Sequence, residues 1–563
     1  MAAGFENCRR KLASVCAIGL LFVLSGCGTT KICLTPEQRC VLRDLEQIDP
    51  RQDPIPAETP IVDIHTHTFN ARYLPLQGIL LGKRDAAFPI TTLVTDKCAT
   101  NVARQLINCT ELDSPPAQCP ARPKRSTEDV RATGKPGLIC KIFLDVIDDA
   151  VKGGAWAPGK GHLEQLHAVD TVARNMSLRK KLAIRAATSM MGMQTHTKGG
   201  KETAETVDGI QAAMRFLWML TQNDREIPEI YRAMQAKVPV KGQITMISHM
   251  MDLGPVYDQA ADGCALLDFP SEQVRRMEQY SKAANSGLYY FVAYNPYRDF
   301  LAGAPANAAL EVVKEAWVHH GAKGIKVYPP SGYRAAGNDI EPRPCAISPV
   351  PGREWDARYA AMGQNQAARN ATLDRELNTL LEWCISNDVP VLAHSGYGEF
   401  EARKGYGEYH SNPEFWERFL VSHSKPGEPC KLRLCLGHAG GEDFWVGTGT
   451  HAEWGKRVFR LCTTYPNVYC EITTSDKMVE PTTRAYMAYS LIQLFEQTRA
   501  APYPFAKKLL YGTDWPLPDQ GKPEAVLLGT QRIFLHPKLR QFYADYFFGN
   551  ANRFLNFDAT SHD

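Results

Sequence analysis

The sequence lacks a long basic run, any Cys-x-x-Cys pair and an apolar run long enough for a bilayer. Each absence excludes something. Lys and Arg total 64 against 61 Asp and Glu, a net charge of +3. Near balance without a basic stripe leaves nucleic acid no electrostatic footprint. Without Cys-x-x-Cys or zinc-ribbon spacing, the cysteines do not spell a metal site. The most apolar stretch, Leu12 to Leu24, is too short to cross a membrane comfortably. There is no internal repeat. What remains is a chain of 563 residues, 44% hydrophobic and 22% charged. That is neither disordered nor fibrous composition and supports a large core.

The N-terminus is patterned. Arg9, Arg10 and Lys11 precede the apolar stretch, which ends in Leu24-Ser25-Gly26-Cys27. A positive start, a short apolar segment and small residues make a signal-peptide pattern. The ending resembles a bacterial lipobox, which implies a signal over residues 1–26 and a lipid on Cys27. It implies an exported protein attached to a membrane through that lipid. Gly28, rather than Asp, favours the periplasmic side of the outer membrane by analogy with enterobacterial sorting. An uncleaved anchor, or an ordinary signal with a chance cysteine, stays open. Of 16 cysteines, Cys8 and Cys16 fall in the signal and Cys27 carries the lipid. Thirteen remain, an odd number, so at least one stays unpaired within the chain. Cys98, Cys109, Cys119 and Cys140 lie close enough to staple an irregular region in an oxidising compartment, in a pairing that spacing does not reveal.

Residues 27–59, punctuated by Pro36, Pro50, Pro54, Pro56 and Pro60 at its edge, read as a tether. Residues 60–558 read as one domain. Eight short β-rich runs begin at Ile61, Ile244, Leu288, Gly324, Val389, Leu432, Val468 and Lys508. Helical stretches such as Ala309 to His319 and Thr372 to Asn387 separate most of them. Eight strands alternating with helices predict a closed parallel (β/α)8 TIM barrel, an α/β fold. About 170 residues separate the first two runs, where a βα unit needs a few tens. Much of that interval is helix-like, from Ala150 to His196 and Asp208 to Leu220. It predicts a mainly helical insertion at about 75–240, capping the C-terminal face.

The histidines carry the chemistry. His65 and His67 sit two apart at the end of the first run, so strand alternation turns both into the barrel, with Asp63 on the same face one step deeper. His394 ends the fifth run, His438 the sixth, and Asp514 the eighth. In a barrel such distant positions converge on one mouth. Four imidazoles and a carboxylate suit Zn²⁺, with Mn²⁺ or Fe²⁺ as alternatives. A lone His-x-His is weak evidence; its conjunction with three strand-ending ligands is strong. Asp63 is more often a buried hydrogen-bonding partner than a ligand. Lys326 has three readings: a carboxylated bridge between two ions, a binder of a substrate carboxylate, or a plain ion pair. A site-lining role is favoured. His249 and the remaining histidines show no such placement and read as surface or packing residues. Met246, Met250 and Met251 read as core or pocket lining.

Asp63-Ile64-His65-Thr66-His67, Gly324-Ile325-Lys326, Ala393-His394-Ser395-Gly396, Gly437-His438-Ala439-Gly440 and Gly512-Thr513-Asp514-Trp515-Pro516 resemble the strand-end motifs of the amidohydrolase superfamily. Gly549-Asn550-Ala551-Asn552-Arg553-Phe554 resembles the ending of its amidohydrolase-related branch, which includes aminocarboxymuconate-semialdehyde decarboxylase. The insertion has no counterpart in that resemblance. The resemblance implies metal ligation by His65, His67, His394 and Asp514. It implies that His438 is a second-site ligand or a base, and that one or two ions are bound. Catalysis would fall to Asp514, His438 and Lys326.

The reading is a metal-dependent hydrolase that uses activated water on an amide, lactone or ester bond of a small molecule. Non-oxidative decarboxylation of an aromatic or unsaturated acid is the alternative. A non-catalytic metal-binding lipoprotein is a third. Homo-oligomerisation is left open.

Overall fold

A computed structural model describes residues 34–53, 59–68, 161–178, 209–256, 269–339, 359–517 and 522–557, with brief breaks within these runs, and a few further positions at 55–56, 145–153 and 180–181. The signal segment, Cys27 and the four-cysteine stretch lie outside the described residues, as does most of the predicted insertion.

Eight strands appear where the β-rich runs predict them: β1 Ile61–Thr66, β2 Ile244–His249, β3 Leu288–Tyr294, β4 Ile325–Val327, β5 Val391–His394, β6 Leu434–Gly437, β7 Val468–Glu471 and β8 Leu509–Leu510. They pair in sequence order and in parallel. The ring closes between β8 and β1: Ile64 N donates to Tyr511 O (3.0 Å), Asp514 N to His65 O (2.6 Å) and His67 N to Trp515 O (2.7 Å). This is the (β/α)8 barrel that the alternation predicts.

The described helices of nine residues or more are α1 Pro36–Gln47, α2 His162–Asn175, α3 Gly209–Met219, α4 Ile227–Gln235, α5 Phe269–Lys282, α6 Ala308–His319, α7 Gln366–Ser386, α8 Pro413–Ser422, α9 Ala452–Thr464, α10 Pro481–Gln497 and α11 Pro523–Leu535. The barrel interior is a small apolar cluster with Val62, Ile64, Ile247, Phe291, Leu392, Cys435, Tyr469 and Leu510. Phe554 and Leu555, from the closing helix Asn550–Leu555, join it. Asn550 Nδ2 pins that helix by donating to Ala506 O (3.0 Å) and Leu509 O (2.6 Å). The larger cluster fills the layer between strands and helices.

The stretch expected to be a tether contains α1. Thr35 and Gln38 form a reciprocal capping box, and Pro36 occupies the first turn, where its missing N–H costs nothing. Val41 and Leu45 are buried, and the helix packs on α10. The prolines at this point start a helix rather than prevent one. In the predicted insertion, α2, α3 and α4 are helical as expected, and α2 packs against α3.

Candidate metal centre

All functional side chains come from the C-terminal ends of strands. β1 carries the first departure from the sequence reading. Asp63 pairs with Met246 and Thr66 with Ser248, so β1 spends one more residue than β2 over that interval. The extra residue is a bulge, and a bulge breaks the alternation of faces. Val62 and Ile64 face the barrel interior, whereas Asp63 turns outward. Its carboxylate accepts from Tyr231 of α4 (2.5 Å), from Thr513 Oγ1 (2.6 Å), from Thr513 N (3.0 Å) and from His65 N (3.2 Å). The expectation that Asp63 shares a face with His65 and His67 is therefore corrected. It ties β1, β8 and α4 together. Burial pushes its carboxyl up to about 7, against hydrogen bonds that pull it down.

His65 and His67 turn inward past the bulge. His65 Nδ1 lies 2.6 Å from Glu471 Oε1 at the end of β7, and Lys326 Nζ lies 2.7 Å from His65 Nε2. An ammonium can only donate, so Nε2 of His65 carries a lone pair and Nδ1 carries the hydrogen. His67 is set the same way. Its Nδ1 donates to the His249 carbonyl (2.8 Å), which leaves a lone pair on Nε2. Both Nε2 atoms face Asp514 Oδ1, at 3.3 Å for His65 and 3.1 Å for His67. Two imidazole lone pairs and a carboxylate oxygen are all acceptors. Lys326 already donates to the first of them, and a proton or a cation held among the three would satisfy the rest. These three atoms lie within 4.8 Å of one another, all buried, and form a group that could hold an ion. The donor set fits a divalent cation of the zinc type.

Asp514 and His438 reach the site from unusual backbone. Their φ values are +57° and +59°, a region that non-glycine residues seldom occupy. Ala439, Gly440 and Gly441 continue the run of positive φ after β6. A side chain at Gly440 would run into the backbone of Trp454 at 2.6 Å, so the turn needs glycine there. His438 N donates to Glu471 Oε1 (2.9 Å), and His438 Nδ1 pairs with the Thr473 hydroxyl. His65, His438 and Glu471 form a second group with ligand atoms within 4.8 Å. His394 lines the same cavity, its ring 4.5 Å from that of His438 and 4.9 Å from that of Tyr328. It stands outside both three-atom groups. The cavity they share has a volume of about 320 Å³, with Lys326 in its lining and apolar cover from Met251, Phe400 and Leu517.

The electrostatics follow from burial. Desolvation, then the Lys326 ammonium, hold His67 down to about 3. Burial drives His65, His394 and His438 well below the ordinary histidine value as well, with neighbouring charges adding to it. All four imidazoles are thus neutral near pH 7, the form that offers a lone pair. Burial raises the Asp514 carboxyl, and Lys326 opposes that rise. Glu471 is raised by burial too.

The sequence reading missed two members of the site. Glu471 ends β7, and the strand-end rule that singled out Asp514 would have found it. His249 ends β2 and was read as an ordinary histidine. It is buried, its ring is 4.9 Å from His65 and 6.0 Å from His67, and its carbonyl orients His67. The same rule points to it.

Fold and site together define a (β/α)8 barrel with a buried imidazole–carboxylate centre at its C-terminal rim. Residues 293–557 match the family model described as "Amidohydrolase". The match begins inside β3, so it includes Lys326, His394, His438, Glu471 and Asp514 and leaves His65 and His67 outside. No curated protein matches the chain. Similar solved structures include a "probable 2-pyrone-4,6-dicarboxylic acid hydrolase" from Acinetobacter baumannii, 11% identical, covering 59% of this chain and 89% of that one, TM-score 0.31. An amidohydrolase from Burkholderia multivorans is 14% identical, covering 55% and 83%, TM-score 0.30. The 2,6-dihydroxybenzoate decarboxylase from Rhizobium is 14% identical, covering 56% and 85%, TM-score 0.30.

Proposed function

We propose that the protein is a metal-dependent hydrolase of the amidohydrolase type, acting on an amide, lactone or ester bond of a small molecule. One observation carries this reading: His65 Nε2, His67 Nε2 and Asp514 Oδ1 converge as three buried acceptors at the barrel mouth. A divalent ion held there supplies Lewis acidity and brings the pKa of a water molecule to about 7.

The chain's own residues do the rest. Glu471 and the His249 carbonyl hold the two β1 imidazoles in the tautomer that points Nε2 at the site. Asp514, whose carboxyl burial raises to about 7 against the pull of Lys326, takes a proton from the attacking water in its ionised form and returns it to the leaving group. His438, fixed by Thr473 and Glu471, faces the cavity beside His394 and can hydrogen-bond a substrate oxygen. Lys326 places a positive charge where negative charge develops on the substrate. Met251, Phe400 and Leu517 exclude bulk water, which strengthens each of these interactions.

The test is elemental analysis of purified protein, joined to a screen of esters, lactones, amides and aromatic carboxylic acids. Near-stoichiometric divalent metal with hydrolysis of a neutral acyl compound supports the reading. Release of CO₂ from an aromatic acid would replace it with a decarboxylase, and absence of metal would remove it.

A further inference from the structure

A second cavity, of about 300 Å³, lies beside the first, between the ends of β1 and β2 and the face of α5. Met251 lines both cavities. The second has an unusual lining: three thioethers, from Met250, Met251 and Met277, together with His249, Arg276 and Asp224. Its position beside the first suits a pocket for the part of a substrate that does not react.

Its charges are already matched. Arg276 Nε and Nη2 donate to Asp224 Oδ2 and Oδ1 at 2.9 and 2.7 Å, and both side chains are buried. Among the described residues of the lining, an ionic ligand entering beside this closed pair would give up its hydration for no free countercharge, a cost that burial makes large. Thioethers are polarisable and adapt to flat or irregular apolar shapes. Met277 is itself held by a hydrogen bond from Thr68 Oγ1 to its sulfur (3.2 Å), and Thr68 is braced by Ser248 (2.6 Å).

His249 adds a directional element. Its Nε2 meets the Ile64 carbonyl at 2.7 Å, and a carbonyl can only accept, so Nε2 bears the hydrogen. Nδ1 is then an acceptor. It is buried and makes no hydrogen bond among the described residues. A buried acceptor without a donor carries a penalty that a ligand's N–H or O–H would remove.

We propose that this cavity is a side pocket for an uncharged group made of an apolar ring or chain bearing a hydrogen-bond donor, such as a carboxamide or hydroxyl. As a substrate subsite it rests on the hydrolase reading; as a binding pocket it stands alone.

The experiment uses the full chain with its methionine methyl groups labelled, and benzamide, benzoate and benzylammonium as probes. Benzamide shifts the methyl resonances of Met250, Met251 and Met277, and the two ions leave them in place. Met277→Trp, which fills the cavity, weakens benzamide binding by at least about tenfold. Met277→Phe repeats the test should the tryptophan variant fail to fold. Benzoate or benzylammonium shifting the same three methyls as strongly as benzamide overturns the proposal. So does benzamide affinity that survives the folded filling variant. Because binding is read without turnover, an inactive protein that still binds benzamide here sinks only the hydrolase reading. An active one that fails to bind it sinks only the pocket.

Discussion

Glu471 Oε1 and His65 Nδ1 lie 2.6 Å apart although 406 residues separate them in sequence. The contact reaches past β8, from the end of β7 to the end of β1. The same carboxylate oxygen receives the His438 backbone N–H at 2.9 Å. One atom of Glu471 therefore orients one imidazole and fixes the turn that presents another.

Glu471→Ala removes that support. The expected outcome is a loss of metal affinity of about 10- to 100-fold, the usual effect of deleting a group that orients a metal-bound histidine. Competition against a chromophoric chelator measures it. Unchanged affinity would show that His65 is held by other contacts.

Asp514→Asn keeps the size of the side chain and removes its capacity to take a proton. Turnover should fall by about 10²- to 10⁴-fold, the range for losing a general base. The melting curve should stay close to that of the parent, since burial already works against the charged form at this position. Rates measured beside a thermal melt decide it, and undiminished turnover would reject Asp514 as the base.

The N-terminal helix is part of the fold and not a spacer. Leu45 is 1% exposed in the contact between α1 and α10. Leu45→Ala should destabilise this contact by about 2–5 kcal/mol, as large-to-small changes in a core do. Protease accessibility of the N-terminal segment, followed by mass spectrometry, should rise while metal content stays unchanged. Unaltered cleavage kinetics would make α1 a loosely held appendage.

Cys27 is proposed as the lipid-bearing residue on its resemblance to a lipobox. Cys27→Ser should move the protein from the membrane fraction to the soluble one. Retention in the membrane fraction would favour an uncleaved apolar anchor over residues 12–24.

Eight strands were legible because each buried parallel strand is a short apolar run between helical stretches, a signal that resides in neighbouring residues. His65, His67, His394, His438 and Asp514 were legible because each closes such a run. Asp63 was misread for the complementary reason. Strict alternation places it inward, and the bulge in β1 reverses that. The bulge exists only in the pairing of β1 with β2, whose partners lie far apart in the chain. His249 was passed over because its role is carried by a backbone carbonyl, which residue identity does not advertise.

The sequence by itself determined the barrel, its strand order and the residues at the rim, since periodicity and strand termini are local properties of the chain. Only the tertiary structure decided which atoms face one another. Tautomers, the outward turn of Asp63, the Glu471–His65 contact and the closed Arg276–Asp224 pair all depend on distances between segments that meet only once the ring has closed.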